Sequence, residues 1–223
     1  MHQYNMLQWL SFFFIYCFLG WCFESSYVSL KKKHWVNRGF MNGPFLPLYG
    51  SGAMMMLVVS APFQHNILAT YFAGVVGATV LEYVTGVTME ALFKVRYWDY
   101  SNQKFNFQGQ VCLSSSVAWG FLTILMTKVI HKPIESFVEW LPQTLVIVVV
   151  SMISVIAIAD FAVSFKAAID LRIILDKMEK AKMELSHLQK RLDVMIALSS
   201  ESNGQRIENF EQKLEEKISQ LKE

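Results

Sequence analysis

The sequence has few of the residues that announce an enzyme or a disulfide scaffold. It holds 3 cysteines in 223 residues. Cys17, Cys22 and Cys112 lie in or beside apolar runs, and their number is odd. A disulfide framework is therefore excluded, and the three read as small hydrophobic fillers. Cys17 and Cys22 lack the spacing of a zinc pair, and no His/Cys cluster stands near them, so no metal is expected. No phosphate-binding loop of the GxxxxGK type, no HExxH and no GxSxG is present. Nothing in the chain is equipped to hydrolyse ATP on its own, and no cofactor is expected. These absences weigh against an enzyme. The formal net charge of +2 is too small to point to nucleic acid. No basic stretch precedes the first apolar run, which exceeds the core of a signal peptide, so Leu7–Leu30 is expected to be a retained span.

What the chain has in abundance is apolar residues, at 53%, a share too high for an ordinary soluble domain of this size. They are bunched into runs. Five runs approach the roughly 20 residues that a helix needs to cross a bilayer: about Leu7–Leu30, Phe45–Phe63, Ile67–Phe93, Val111–Ile130 and Leu141–Phe165. The expected fold is an all-α polytopic bundle of about five spans, residues 1–165, in the cell membrane.

Lys and Arg set the orientation. Lys31, Lys32, Lys33 and Arg38 follow the first span, Lys94, Arg96 and Lys104 the third, and Lys166 and Arg172 the fifth. The other side has Lys132 and little else. The basic side is expected to be cytoplasmic, with the N-terminus outside and the C-terminus inside.

Residues 166–223 differ in character. Leu171, Met178, Leu185 and Leu192 repeat every seven residues, with Ile174, Ala181, Leu188 and Met195 between them. This pattern predicts a cytoplasmic coiled coil or helical hairpin, with self-association through residues 171–195. Ser199–Gly204 reads as a break. Ile207, Phe210, Leu214, Ile218 and Leu221 form a second amphipathic stretch that extends the first or folds back on it.

Acids inside the spans are the residues most in need of explanation. Glu82 lies about fifteen residues into the third span, where a carboxylate costs about 2.5–3.5 kcal/mol. It must face the bundle interior, find a partner or take up a proton. Glu90 is eight residues on and shares a broad face with it. Gly74, Ala78 and Gly86 lie on the same four-residue step and would let a neighbouring helix approach closely. Glu24 sits near the cytoplasmic end of the first span, at a depth like that of Glu90, within reach of the basic residues there. Packing locks and a polar conduit both fit this placement. Asp160 in the fifth span reads as an interfacial or packing contact.

Two connections are also rich. Asn37–Gly52 has four glycines and two prolines, the mark of a turn into a kinked helix or of a re-entrant segment that is buried or lines a wet cavity. Trp98, Asp99 and Tyr100 form an amphipathic cluster at the membrane surface, and Asn106 and Gly109 suit a turn before the fourth span.

Three stretches resemble one family: "LGWCFESSY" (Leu19–Tyr27), "RGFMNGPFLPLYGSGA" (Arg38–Ala53) and "LEYVTGVTMEALFKVRYWDYSNQKFNFQGQVCLSSSVAWG" (Leu81–Gly120). They are similar to bacterial multi-pass proteins described as ABC-transporter permeases of type IV, the CmpB-like family. The resemblance covers residues 5–160 and leaves the heptad tail outside. Its motif falls here on Glu24, Gly43, Pro44, Pro47, Tyr49, Gly50, Glu82, Gly86, Glu90, Trp98, Asp99, Tyr100, Asn106, Gly109, Cys112, Leu113 and Trp119. Gln110 stands where many relatives have a basic residue, which argues against anion binding at that spot. The resemblance implies a permease embedded in the bilayer, and a separate ATPase subunit if it works in an ABC system. In the resulting picture Glu24, Glu82, Glu90, Trp98, Asp99, Tyr100 and Asn106 line a polar cavity open to the cytoplasm. Gly43, Pro44, Pro47, Tyr49, Gly50, Gly86, Gly109, Cys112 and Trp119 shape it. Two alternatives are a membrane-embedded enzyme using paired carboxylates as acid and base on a lipid or isoprenoid group, and a scaffold that recruits partners through its tail.

Overall fold

A computed structural model describes residues 4–220. Six α-helices carry most of them: α1 Met6–Lys32, α2 Pro47–Ser60, α3 Ile67–Phe93, α4 Leu113–Leu125, α5 His131–Trp140 and α6 Gln143–Gln220. A two-stranded antiparallel ribbon, β1 Asn106–Phe107 and β2 Val111–Cys112, precedes α4. The all-α membrane bundle expected from the apolar runs is the observed fold.

The helix ends follow their capping residues. Asn5 and Gln8 close a reciprocal box at the start of α1, each side chain accepting from the other's backbone N–H, at 2.8 and 2.9 Å. Asn66 caps α3 by accepting from Ala69 N–H. Lys33 and Lys94, both in the left-handed region, end α1 and α3.

Four helical stretches are long and apolar enough to cross a membrane: Met6–Lys32, Ile67–Phe93, Leu113–Trp140 and Gln143–Ser199. The second expected span is shorter. It is α2 extended by a 3-10 turn, Ala61–Phe63, about 25 Å in all at 1.5 Å per residue. The reason lies in the chain before it, which is irregular rather than helical. Val36 N–H donates to Ser29 Oγ and Arg38 N–H to Ser25 Oγ. Leu46 N–H donates to the Cys17 carbonyl. The segment thus runs back along α1 over twelve residues, about 18 Å of helix, before Pro47 starts α2. The Gly/Pro stretch is thus an irregular segment laid along α1 that ends where Pro47 starts α2.

The fourth span also differs from expectation. "HKPIESFVEW", expected as a connection, is helix α5, joined to α4 through a π-helical turn at Met126–Ile130. Pro133 accounts for the turn. A proline ring collides with the carbonyl four residues back, and one widened turn relieves the collision.

α3 packs most extensively on α4, and α2 lies against both α1 and α3. Gly74 meets Thr123, and Gly120 meets Tyr71 and Val75, with space for no methyl group at either glycine. The apolar core is formed by Phe12, Tyr16, Ala53, Met56, Leu57, Ala78, Met126 and Val138.

The chain divides into two compact units, Met1–Arg172 and Ile173–Glu223. In the second, Ile174, Met178, Leu185, Leu188, Leu192 and Met195 are all exposed. α6 continues through Ser199–Gly204, so the expected break there does not occur and the tail does not fold back as a hairpin. One glycine costs a helix only about 1 kcal/mol, which its neighbours offset. Leu221 lies outside the described residues.

Candidate functional site

Glu82 points inward. It is 7% exposed, and Gly74, Ala78 and Gly86 on the same stripe of α3 are buried with it. Its Oε1 accepts from the Tyr100 hydroxyl at 3.0 Å. Its Oε2 accepts from the Trp119 indole at 2.8 Å and from the Ser115 hydroxyl at 3.3 Å. Three neutral donors from the 94–110 connection and α4 therefore satisfy both oxygens. Hydrogen bonds between membrane segments contribute about 1 kcal/mol each, so three of them match the insertion cost of the acid.

Ser115 and Trp119 are four residues apart on α4 and share one face. Cys112 sets that face by capping α4, its sulfur accepting from Ser115 N–H. The ribbon brings the connection over α3. Gln108 and Gly109 both adopt positive φ, of 54° and 69°, to turn it. Gly109 cannot carry a side chain, because Ser101 Oγ, Arg96 Nη1 and Asp99 Oδ1 crowd the place of its Cβ. Asn106 holds the same turn, accepting from Gly109 N–H and donating to the Gln103 carbonyl. Burial, Glu82's charge and the hydrogen bond to it push the Tyr100 hydroxyl well above the usual tyrosine range, against a small opposing effect of Ser115.

Glu90 lies two turns along the same helix and is half-buried. Arg96 Nε bonds its Oε1 at 2.7 Å, and Gln110 Nε2 bonds its Oε2 at 2.5 Å. Trp98 donates its indole N–H to the Gln110 carbonyl at 2.9 Å. Gly86 leaves the room that Gln110 and Trp98 occupy. Asp99 is exposed. It accepts from the Ser101 hydroxyl and backbone N–H, which hold its carboxyl below the usual range, with help from Arg96.

Glu24, on α1, has its own partners. The Tyr49 hydroxyl donates to its Oε2 at 2.8 Å, and Arg38 Nε lies 3.6 Å from its Oε1. Arg38 and Arg96 thus reach the two shallow acids, as their positions in the sequence indicate. Gly20 and Gly50 let α1 and α2 touch, the first against Tyr49 and the second against Cys17 and Phe13.

Each carboxylate has a separate set of donors. Glu82 is joined to Tyr100 and Trp119, Glu90 to Gln110 and Arg96, and Glu24 to Tyr49 and Arg38. Asp99 and Asn106 shape the connection and touch none of the three acids directly.

A family model described as "Putative ABC-transporter type IV" matches residues 11–165. The chain belongs to that family. Its matched region holds Glu24, Glu82, Glu90 and every partner named for them here, and it ends before the heptad tail. No curated protein and no solved structure matches the chain. The family's description points to the ABC-transporter class, and the chain's long apolar helices are membrane-compatible.

Several site residues carry less signal in the sequence. Gln110, notable in the sequence only as a neutral residue where many relatives have a basic one, bridges Glu90 and the Trp98 ring. Asp160 reads as interfacial. In the fold its carboxylate accepts from Gly43 N–H at 2.7 Å, Asn42 N–H at 3.2 Å, Asn42 Nδ2 at 3.1 Å and Ser164 Oγ at 3.3 Å, clamping the irregular segment. His131 has a signal that is legible afterwards: Glu135 four residues on, which puts both on one face of an apolar helix.

Proposed function

We propose that the protein is a permease-like transport component whose polar route opens to the cytoplasm along the face of Glu24, Glu82 and Glu90. The observation that carries this reading is Glu82 itself, an enclosed acid midway along an apolar helix and met by three side chains from two other segments. Intramembrane acids of this kind mark substrate and ion pathways. The irregular segment supports it further. Asn37, Arg38 and Asn42 are exposed along that segment, and irregular backbone at membrane depth belongs in protein or beside a wet cavity. Trp98, Asp99 and Asn106 hold the 94–110 connection from which Tyr100 reaches Glu82.

The clustering of Lys31–Lys33, Lys94, Arg96 and Lys166 supports a cytoplasmic position for this face and for the C-terminal tail. ATP hydrolysis then falls to a separate subunit docking there, and the exposed apolar stripe of residues 171–195 joins copies of the chain. The test is to purify the full chain from its native membranes and reconstitute it with any nucleotide-binding subunit that co-purifies. Turnover of ATP that depends on the intact chain and falls in Glu82→Gln supports the reading. Turnover unchanged by Glu82→Gln removes Glu82 from the route.

One observation favours a second reading. All three acids are already engaged by internal donors, as expected of packing locks in a scaffold whose tail does the recruiting. Recovery of no nucleotide-binding subunit, with partners lost on removal of the tail, supports that reading instead. The enzymatic alternative is weaker, because both oxygens of Glu82 are already taken by internal donors.

A further inference from the structure

At the end of the bundle away from Glu24, Glu82 and Glu90 lies a second polar cluster. His131, the first residue of α5, is 5% exposed, and both of its ring nitrogens are bonded. Tyr16 of α1 meets Nδ1 at 2.9 Å, and Tyr4, just before α1, meets Nε2 at 3.1 Å. The Tyr4 hydroxyl also reaches Glu135 Oε1 at 2.5 Å. Phe12, fully buried, covers the imidazole edge-on with ring centroids 4.8 Å apart.

The proton count fixes the direction of every bond. Tyr4 has one hydroxyl proton, and Glu135 takes it. Tyr4 oxygen must then accept from His131, so Nε2 carries the ring proton. Nδ1 is left as a lone pair and accepts from Tyr16. The chain runs Tyr16 to His131 to Tyr4 to Glu135, each group donating to the next, and it requires a neutral imidazole.

We propose that His131 is a proton-binding site, and that a proton taken up there loosens the joint between α1 and α5. The incoming proton goes to Nδ1, the only free lone pair on the ring. Tyr16 must then turn its hydroxyl away and accept. Its own proton is left in the apolar core that Tyr16 shares with Phe12, Ala53 and Met56. Tyr16 is 4% exposed, so water does not readily replace the lost partner. The cost of protonation thus falls on the contact that ties α1 to α5. Among the described residues, the ionisable groups around the ring are these. Tyr4 and Tyr16 face it from the N-terminal side, and Glu135 from its own helix, with Glu139 a turn beyond acting on Tyr4. Lys128 of the π-helical turn is engaged by the Gln64 carbonyl, and Lys132 is exposed. Glu135 is the one charge that favours an imidazolium, through Tyr4.

The test follows thermal unfolding of the full chain in zwitterionic lipid nanodiscs from about pH 8 to about pH 5, the range in which histidine titrates. Wild type, H131Q, Y16F and E135Q are compared. The wild type is expected to lose stability on acidification, and H131Q to lose that dependence. Y16F abolishes the demand for a lone pair on Nδ1, so its acid midpoint moves up by about one pH unit, a tenfold change in proton affinity. E135Q removes the favourable charge and moves the midpoint down. Opposite shifts are not the signature of a purely structural contact, which lowers stability alike at every pH. If H131Q does not fold, the opposed shifts of Y16F and E135Q decide the matter. Unshifted midpoints in both of those variants, or an acid profile of H131Q matching the wild type, overturn the proposal.

Discussion

The indole N–H of Trp119 donates to Glu82 Oε2 across 2.8 Å, so an acid in the middle of α3 is held by an aromatic side chain on α4. This bond crosses the most extensive helix interface in the bundle. It also explains the glycines around it, because Gly74 and Gly120 bring the two backbones close enough for the side chains to meet.

Replacing Glu82 by Gln tests the balance of donors. The carboxylate accepts three bonds on two oxygens. A glutamine keeps one oxygen and turns an amide N–H toward Tyr100, or toward Trp119 and Ser115. One or two donors lose their acceptor, and stability is expected to fall by about 1–3 kcal/mol. Thermal unfolding in detergent measures it, and Trp119 fluorescence is expected to change with it.

Gly86→Ala tests the connection over α3. The new methyl group would collide with Gln110 Oε1 and stand 3.1 Å from the Trp98 ring. Gln110 must then leave Glu90, and residues 94–110 are expected to become markedly easier to cleave in limited proteolysis. The Gln110→Ala variant, which removes the obstructing atom, is expected to restore much of the resistance in the double mutant.

Tyr100 predicts a pH dependence. Its phenol is held above the ordinary value of about 10, first by burial and then by the charge of Glu82 and the bond to it. The folded state therefore keeps this proton more tightly than the unfolded chain does. The stability it contributes is whole below about pH 10 and is lost as the pH rises from there through the raised folded value. Thermal unfolding between neutral and strongly alkaline pH is expected to show a loss that is smaller in Tyr100→Phe.

How much of this was legible beforehand depended on the kind of signal. Span-length apolar runs and an acid amid them announce themselves, because hydrocarbon punishes exceptions. Lys and Arg near Glu24 and Glu90 also proved readable, since charges at a helix end have few places to go. The irregular path of residues 36–46 was only half visible. Glycine and proline announce irregular chain, but Ser25, Ser29 and Cys17, which receive it, look like ordinary span residues. The length of α2 was misjudged for that reason. Cooperation among neutral residues such as Gln110, Tyr16 and Tyr4 left no trace, because a polar neutral group is ambiguous until its neighbours are known.

Asp160→Asn tests the clamp on the irregular segment. Four donors converge on this carboxylate, and an asparagine presents an amide N–H to at least one of them. The Asn42 and Gly43 amides are expected to exchange hydrogen for deuterium faster in the variant, while the amides of the α1 core around Phe12 stay protected.

The reading of Glu82 as an inward-facing acid is tested most directly by cross-linking positions 82 and 115. Cys17, Cys22 and Cys112 are first replaced by serine, which preserves the cap on α4. A chain carrying Glu82→Cys and Ser115→Cys is then oxidised in native membranes. The account predicts a cross-link within one chain and protection of both thiols from a lipid-soluble maleimide. No cross-link, together with ready labelling of position 82 from the acyl-chain region, would contradict it.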